Sequence, residues 1–90
     1  MDELVAQFEK NATEVVRVSL TEFRGHKLID LRVYYTDDKG EYRPTRKGIS
    51  LAVDGYTEFR AAVARLDKML VDLKLVDADD IEDALVLEDD

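Results

Sequence analysis

Cysteine is absent from this 90-residue chain, which excludes a disulfide framework, a thiol nucleophile and any sulfur-ligated metal. A single histidine, His26, is too little for a histidine-based zinc site unless carboxylates or a partner chain supply the rest. No apolar run approaches the roughly 20 residues needed to cross a bilayer. The first residues, MDELVAQFEKN, are acidic and lack the basic start and apolar run of a signal peptide, so a soluble intracellular protein is expected. Catalytic equipment is equally scarce. Ser19 and Ser50 have no companion base, and no glycine-rich loop is followed by the Lys and Ser or Thr that cradle a phosphate. The acids at Asp37-Asp38, Asp79-Asp80 and Glu82-Asp83 fall in a turn or a tail with no apolar shell to tune them. A non-catalytic protein without metal or cofactor is the expectation.

Positive charge is also in deficit, with 13 Lys or Arg against 21 Asp or Glu and a net charge of -8. What there is, however, is concentrated. Residues 15–53 hold eight bases and five acids, whereas residues 54–90 hold four bases and twelve acids. A focused patch matters more to an anionic ligand than the bulk sign. The stretch EFRGHKLIDLRVYYTDDKGEYRPTRKGISL, from Glu22 to Leu51, sets Arg, Lys, Phe and Tyr among strand formers, which suits a sheet that binds an extended polyanion.

Three regions follow from the pattern. Residues 1–13 carry Leu4, Val5 and Phe8 in an acidic context and read as a short helical turn or loose arm, too short to hold as an isolated helix. Residues 14–75 form the domain. Val16, Val18 and Leu20 alternate with Arg17 and Ser19, the period of a half-buried strand. Arg24-Gly25-His26 breaks the run, and a second strand over residues 27–35 puts Ile29, Leu31, Val33 and Tyr35 on one face. Its other face, with Leu28, Asp30, Arg32 and Tyr34, is too apolar to be simply solvated and implies cover by a ligand or another chain. Residues 36–40 have turn composition, with Gly40 as the left-handed residue. Residues 41–43 make a short third strand ended by Pro44, and residues 49–53 a fourth. The fold class expected is α+β: a four-stranded antiparallel meander followed by one long C-terminal helix. Asp54 is the expected N-cap. Residues 76–90 hold eight acids and no base and read as a mobile acidic tail, with Ile81, Ala84, Leu85 and Leu87 able to form one weak amphipathic turn.

Within the helix, Tyr56, Phe59, Val63, Leu66, Leu70 and Leu73 recur at alternating spacings of three and four, a seven-residue seam. Six large apolar residues exceed what a short sheet needs, so the seam is assigned to a homodimer contact; closed two-fold dimers are the commonest oligomers.

The candidate ligand surface gathers Phe23, Arg24, Lys27, Arg32, Arg43, Arg46 and Lys47. Guanidinium groups match phosphate oxygens with a rigid donor fork, and Lys adds a point charge. Rings such as Phe23 and Tyr35 accept stacked bases only when the strand is single. The plainer reading of the same residues is a solvated face with edge charges that resist aggregation. His26 reads first as an exposed turn residue that adds a hydrogen bond to phosphate, more strongly when protonated.

These residues carry a family resemblance over about residues 15–72. Glu22-Phe23-Arg24-Gly25, Leu28-Ile29-Asp30-Leu31-Arg32 and Pro44 with Arg46-Lys47-Gly48-Ile49-Ser50-Leu51 resemble the C-terminal domain of the transcriptional coactivator positive cofactor four. The resemblance implies a curved antiparallel sheet and a long helix, dimerisation through helices and adjoining strands, and binding of single-stranded or melted DNA. It implies DNA contacts at Phe23, Arg24, His26, Arg32, Tyr35, Arg43, Arg46 and Lys47, with Phe23 and Tyr35 meeting bases. The chain departs from the family's usual residues at three places. His26 replaces a lysine, Tyr35 a tryptophan and Thr45 a glycine, which lowers charge and stacking area and stiffens the loop before Arg46.

The expectation is therefore a homodimeric, non-catalytic single-stranded DNA-binding protein in transcription regulation or genome maintenance. Its compartment is expected to be cytoplasm or nucleoid in a prokaryote and nucleus in a eukaryote. The alternatives are an RNA-binding protein, or an interaction module that uses the helix and acidic tail to meet a basic protein partner.

Overall fold

A computed structural model describes residues 2–81. The chain divides into two compact units, residues 1–54 and residues 55–90.

The first unit is one antiparallel sheet in the order β1-β2-β3-β4, with β1 at Glu3–Glu9, β2 at Glu14–Phe23, β3 at His26–Thr36 and β4 at Tyr42–Ala52. The four-strand meander is as expected, but its strands are not the expected four. The N-terminal segment is a strand rather than a helical turn or arm, registered on β2 from Glu3↔Leu20 to Glu9↔Val15. Its reversal is made by Asn11, whose Oδ1 accepts from the backbone N–H groups of Thr13 (3.0 Å) and Glu14 (2.9 Å). Such side-chain turns redirect a chain without glycine.

The expected third and fourth strands are one continuous β4. Pro44 does not end it, because it lies on an edge strand and next to a bulge, the two places in a sheet that tolerate proline. Pro44 stands opposite Tyr34 and Gly48 opposite Arg32, so residues 45–47 bulge against the single residue Val33.

Two further turns fix the register. Arg24 and Gly25, at φ 53° and 81°, join the directly paired Phe23 and His26 in a two-residue hairpin of the kind that matches strand twist. Between β3 and β4, Asp37 Oδ1 accepts from the N–H groups of Lys39 and Glu41, both at 2.9 Å, and Gly40 takes φ 79°.

Cross-strand partners share a face, so the register sorts the side chains. Val16, Val18, Leu20, Ile29, Leu31, Val33, Ile49 and Leu51 line one face. Arg17, Ser19, Thr21, Phe23, Asp30, Arg32 and Tyr34 lie on the other, with Ser50 from β4. Val15, 4% exposed, is the one buried hydrophobic residue among those described.

The second unit is a 17-residue helix, α1, at Tyr56–Asp72. A 3-10 turn at Val53–Gly55 leads into it, so Asp54 is not the N-cap; that position falls to Gly55, which offers no capping side chain. The helix closes in a Schellman arrangement. Leu75 N–H donates to Leu70 O and Lys74 N–H to Val71 O, both at 2.9 Å, around a left-handed Lys74 at φ 60°. The start of the acidic segment is ordered, as a 3-10 turn at Ala78–Asp80 capped by the Asp77 carboxylate. The amphipathic turn expected of Ala84, Leu85 and Leu87 lies outside the described residues. Among the described residues no helix is long and apolar enough to cross a membrane.

Candidate nucleic-acid interface

The β2–β3 hairpin presents the first group of candidates. Phe23 is 60% exposed, and the Arg24 guanidinium lies 5.0 Å from its ring centroid. The left-handed Arg24 backbone turns this side chain back over the preceding ring. His26, directly across from Phe23, is exposed and shares its face. Lys27 is one residue further on the opposite face, across from Glu22.

The β4 bulge presents the second group, exposed Arg46 and Lys47. Its shape is held from within. Thr45 Oγ1 donates to Val33 O (2.8 Å) and accepts from Lys47 N–H (3.1 Å). Arg32 Nη1 donates to Thr45 O (3.0 Å). The same guanidinium grips Asp30 as a fork, Nε to Oδ2 at 3.1 Å and Nη2 to Oδ1 at 3.0 Å, and Ser50 donates to Asp30 Oδ1 at 2.8 Å. Burial pushes the Asp30 carboxyl up, but the hydrogen bonds from Arg32 and Ser50 and the charge of Arg32 outweigh it and hold the group below its ordinary range. The hydrogen bond to Asp30 correspondingly raises Arg32, against its own desolvation. Arg32 is thus committed to protein partners and only 23% exposed. It braces the bulge that carries Arg46 and Lys47.

Gly48 makes this brace possible. A Cβ there would stand 2.5 Å from Leu31 O and 2.9 Å from Arg32 Cα, so only glycine lets β4 approach β3 so closely.

Arg43 is engaged in ion pairs, with Asp37 at 2.8 Å and Glu41 at 3.4 Å. Asp37 sits below the ordinary carboxylate range because Glu41 N–H and then the Arg43 side chain donate to it. Tyr35, 44% exposed, faces Arg43 in register, on the face opposite to Arg32.

The nine sequence candidates therefore divide. Phe23, His26 and Arg32 share the polar face, Arg24 caps its hairpin, Arg46 and Lys47 project from the bulge, and Lys27, Tyr35 and Arg43 lie on the other side. The seven residues gathered into one candidate surface, Phe23, Arg24, Lys27, Arg32, Arg43, Arg46 and Lys47, do not all share one face of the sheet. Among the described residues, Arg24, Arg46 and Lys47 have no carboxylate within ion-pair distance.

Arg17, Tyr34 and Tyr42, none of them a sequence candidate, meet on the polar face. The Arg17 guanidinium lies 4.8 Å from both ring centroids, and its Nε donates to Gln7 Oε1 at 2.8 Å. The alternation of Arg17 with Val16 and Val18 was the available signal; the approach of Tyr42 depends on the β4 register and had none.

Along α1 the seam residues are Tyr56, Phe59, Val63, Leu66 and Leu70, with Leu73 at the C-cap. None is buried, and Leu66 is 54% and Leu73 60% exposed. Among the described residues no group of three or more His, Cys, Asp or Glu gathers as a metal set.

Comparison with known proteins is consistent on one point. Residues 10–62 match the family model described as Transcriptional Coactivator p15 (PC4). The RNA polymerase II transcriptional coactivator SUB1 of Saccharomyces cerevisiae is 44% identical over 55 residues, covering 60% of this chain and 19% of that protein. The chain spans less than two thirds of the length of the curated relatives it matches. A PC4 homologue from Burkholderia pseudomallei superposes with a TM-score of 0.68 at 28% identity, covering 71% of this chain and 86% of the other. The protein MoSub1, solved as a complex with single-stranded DNA, superposes with a TM-score of 0.57 at 33% identity, covering 73% and 76%.

Proposed function

The chain belongs to the Transcriptional Coactivator p15 (PC4) family, and from that membership we propose that it is a non-catalytic single-stranded DNA-binding protein acting in transcription regulation or genome maintenance. One observation carries the reading. In a chain of net charge -8, Arg24 beside a widely exposed Phe23 on the hairpin, and Arg46 and Lys47 on the bulge, have no carboxylate within ion-pair distance among the described residues. Cations without a close ion pair in an acid-rich molecule are matched to an external anion, and the exposed ring beside Arg24 is matched to an unpaired base. The single-stranded DNA complex of MoSub1 supports the same ligand.

The mechanism is positional. Arg24, Arg46 and Lys47 hold backbone phosphates, and Phe23 stacks a base that a duplex would keep inside its own stack. Arg32 holds the bulge in shape, and His26 adds a hydrogen bond that strengthens on protonation.

The active form is a homodimer in this reading. No residue of α1 is buried, and its seam carries Val63, Leu66 and Leu73 in the open, a surface suited to a second copy of itself. The compartment is that of the host's transcribed DNA, the nucleus for a eukaryote such as those of the curated RNA polymerase II coactivators.

Competition binding tests this reading. A labelled single-stranded oligonucleotide is displaced by unlabelled single strand, by duplex of the same sequence and by the corresponding RNA. Single-stranded DNA is expected to compete best; preference for intact duplex overturns the stacking mechanism, and preference for RNA reassigns the ligand.

A further inference from the structure

We propose that Arg17, Tyr34 and Tyr42 form a second anchoring point for the same single strand, with one backbone phosphate on the Arg17 guanidinium and a base against Tyr42. The proposal rests on the single-strand reading above and extends it along the polar face of the sheet.

Four observations lead there. Among the described residues every partner of the Arg17 side chain is uncharged: Gln7 accepts from Nε at 2.8 Å, and the ring centroids of Tyr34 and Tyr42 each lie 4.8 Å from the guanidinium carbon. Arginine has five N–H donors, so the four on its terminal nitrogens remain for a bidentate grip of the kind phosphate accepts.

Directly across the strand in register stands a second guanidinium, Arg32. Like charges placed opposite each other are destabilising. Asp30 answers the charge of Arg32 at 3.0 Å, whereas among the described residues no carboxylate lies within ion-pair distance of Arg17. The chemistry missing from this pair is one anion.

The rings add the second half of the ligand. Tyr42 is 39% exposed, so a planar group has access to it while the Arg17 guanidinium rests 4.8 Å from both ring centroids. A guanidinium beside an accessible ring presents phosphate and base contacts at one point, which suits a nucleotide better than an isolated carboxylate.

Finally, Arg17 and Phe23 share the polar face of β2. Six residues separate them, about 20 Å at the rise of a strand. An extended single strand touching Phe23 therefore reaches Arg17 only when it is several nucleotides long.

The test uses the full chain and a length series of labelled oligothymidylates, with wild type, Arg17→Gln, Arg17→Lys, Tyr42→Leu, Arg24→Ala and Arg46→Ala compared over a range of salt. On long oligomers, Arg17→Gln is expected to weaken binding and to reduce the log–log salt slope by about 0.7, one phosphate's worth on a single strand. Arg17→Lys keeps the slope while losing affinity, and Tyr42→Leu weakens binding at least about fivefold with the slope unchanged. On oligomers too short to span from Phe23 to Arg17, these penalties disappear, whereas that of Arg24→Ala, beside Phe23, remains. Should Arg17→Gln fail to fold, as judged by circular dichroism, Arg17→Lys and Tyr42→Leu decide the matter. Arg17 and Tyr42 variants that match wild type at every length while Arg46→Ala weakens binding overturn the second anchor and leave the single-strand reading standing. A wild-type chain that binds no single strand overturns that reading itself.

Discussion

Gly48 is the residue on which the shape of the bulge turns. A methyl group there meets Leu31 O at 2.5 Å, and both neighbours are backbone, so the strand must move. Gly48→Ala is expected to cost about 1–3 kcal/mol, the usual range for overpacking. A thermal melt checks this, with a drop of at least about 4 °C expected for a domain of this size. Asp30 gives a test in pH. Its folded carboxyl is held below the ordinary value by Arg32 and Ser50 against burial, so the folded state binds its proton less readily than the unfolded chain. Its stabilisation is therefore complete above the unfolded value of about 3.9 and is lost as pH falls through the lower folded one. Urea midpoints are expected to hold steady from neutral pH to about 5 and to fall below about 4. Asp30→Asn should be weaker at pH 7 and lose part of that acid limb. An acid limb identical in both proteins contradicts the assignment.

At the level of elements, Lys74 is the position most out of keeping with its surroundings. It occupies the left-handed site of a Schellman closure, where a side chain costs roughly 1–2 kcal/mol and glycine is the usual choice. Lys74→Gly should raise the melting temperature, and a fall would mean that the lysine side chain contributes more than its backbone strain. The elements also show what the sequence discloses. Val16, Val18 and Leu20 alternating with Arg17 and Ser19 disclosed β2, and the seam from Tyr56 to Leu70 disclosed α1, because both periods are local. The hairpin at Gly25 and the turn at Gly40 were legible for the same reason, since each needs a positive φ. The segment Leu4-Val5-Ala6 gave no alternation to read, because β1 shifts register between Leu4 and Ala6 and is exposed throughout. Its strand character comes from pairing with β2, which is tertiary. Pro44 suggested a strand end that the edge position of β4 removes. The division of Arg32 from Arg43 was hidden likewise, because each reads as a free cation until Asp30, Asp37 and Glu41 are placed beside them.

For the molecule as a whole, one buried hydrophobic residue among those described is little for a stable domain, and short chains often complete their cores by association. Sedimentation is expected to report a dimer, and Leu66→Glu, on the exposed seam, to shift it toward monomer. A wild-type monomer at micromolar concentration contradicts the dimer proposal. The division of charge has its own consequence. The acid-rich remainder keeps bulk attraction for nucleic acid weak, so affinity must come from the few unneutralised side chains and depend steeply on salt. The most direct measurement is therefore the log–log slope of single-strand affinity against salt for wild type and for the double variant Arg46→Ala, Lys47→Ala. The account predicts a negative slope that the double variant makes shallower by about 1.4, two phosphates' worth. An affinity indifferent to salt, or a slope unchanged by removal of both cations, contradicts it.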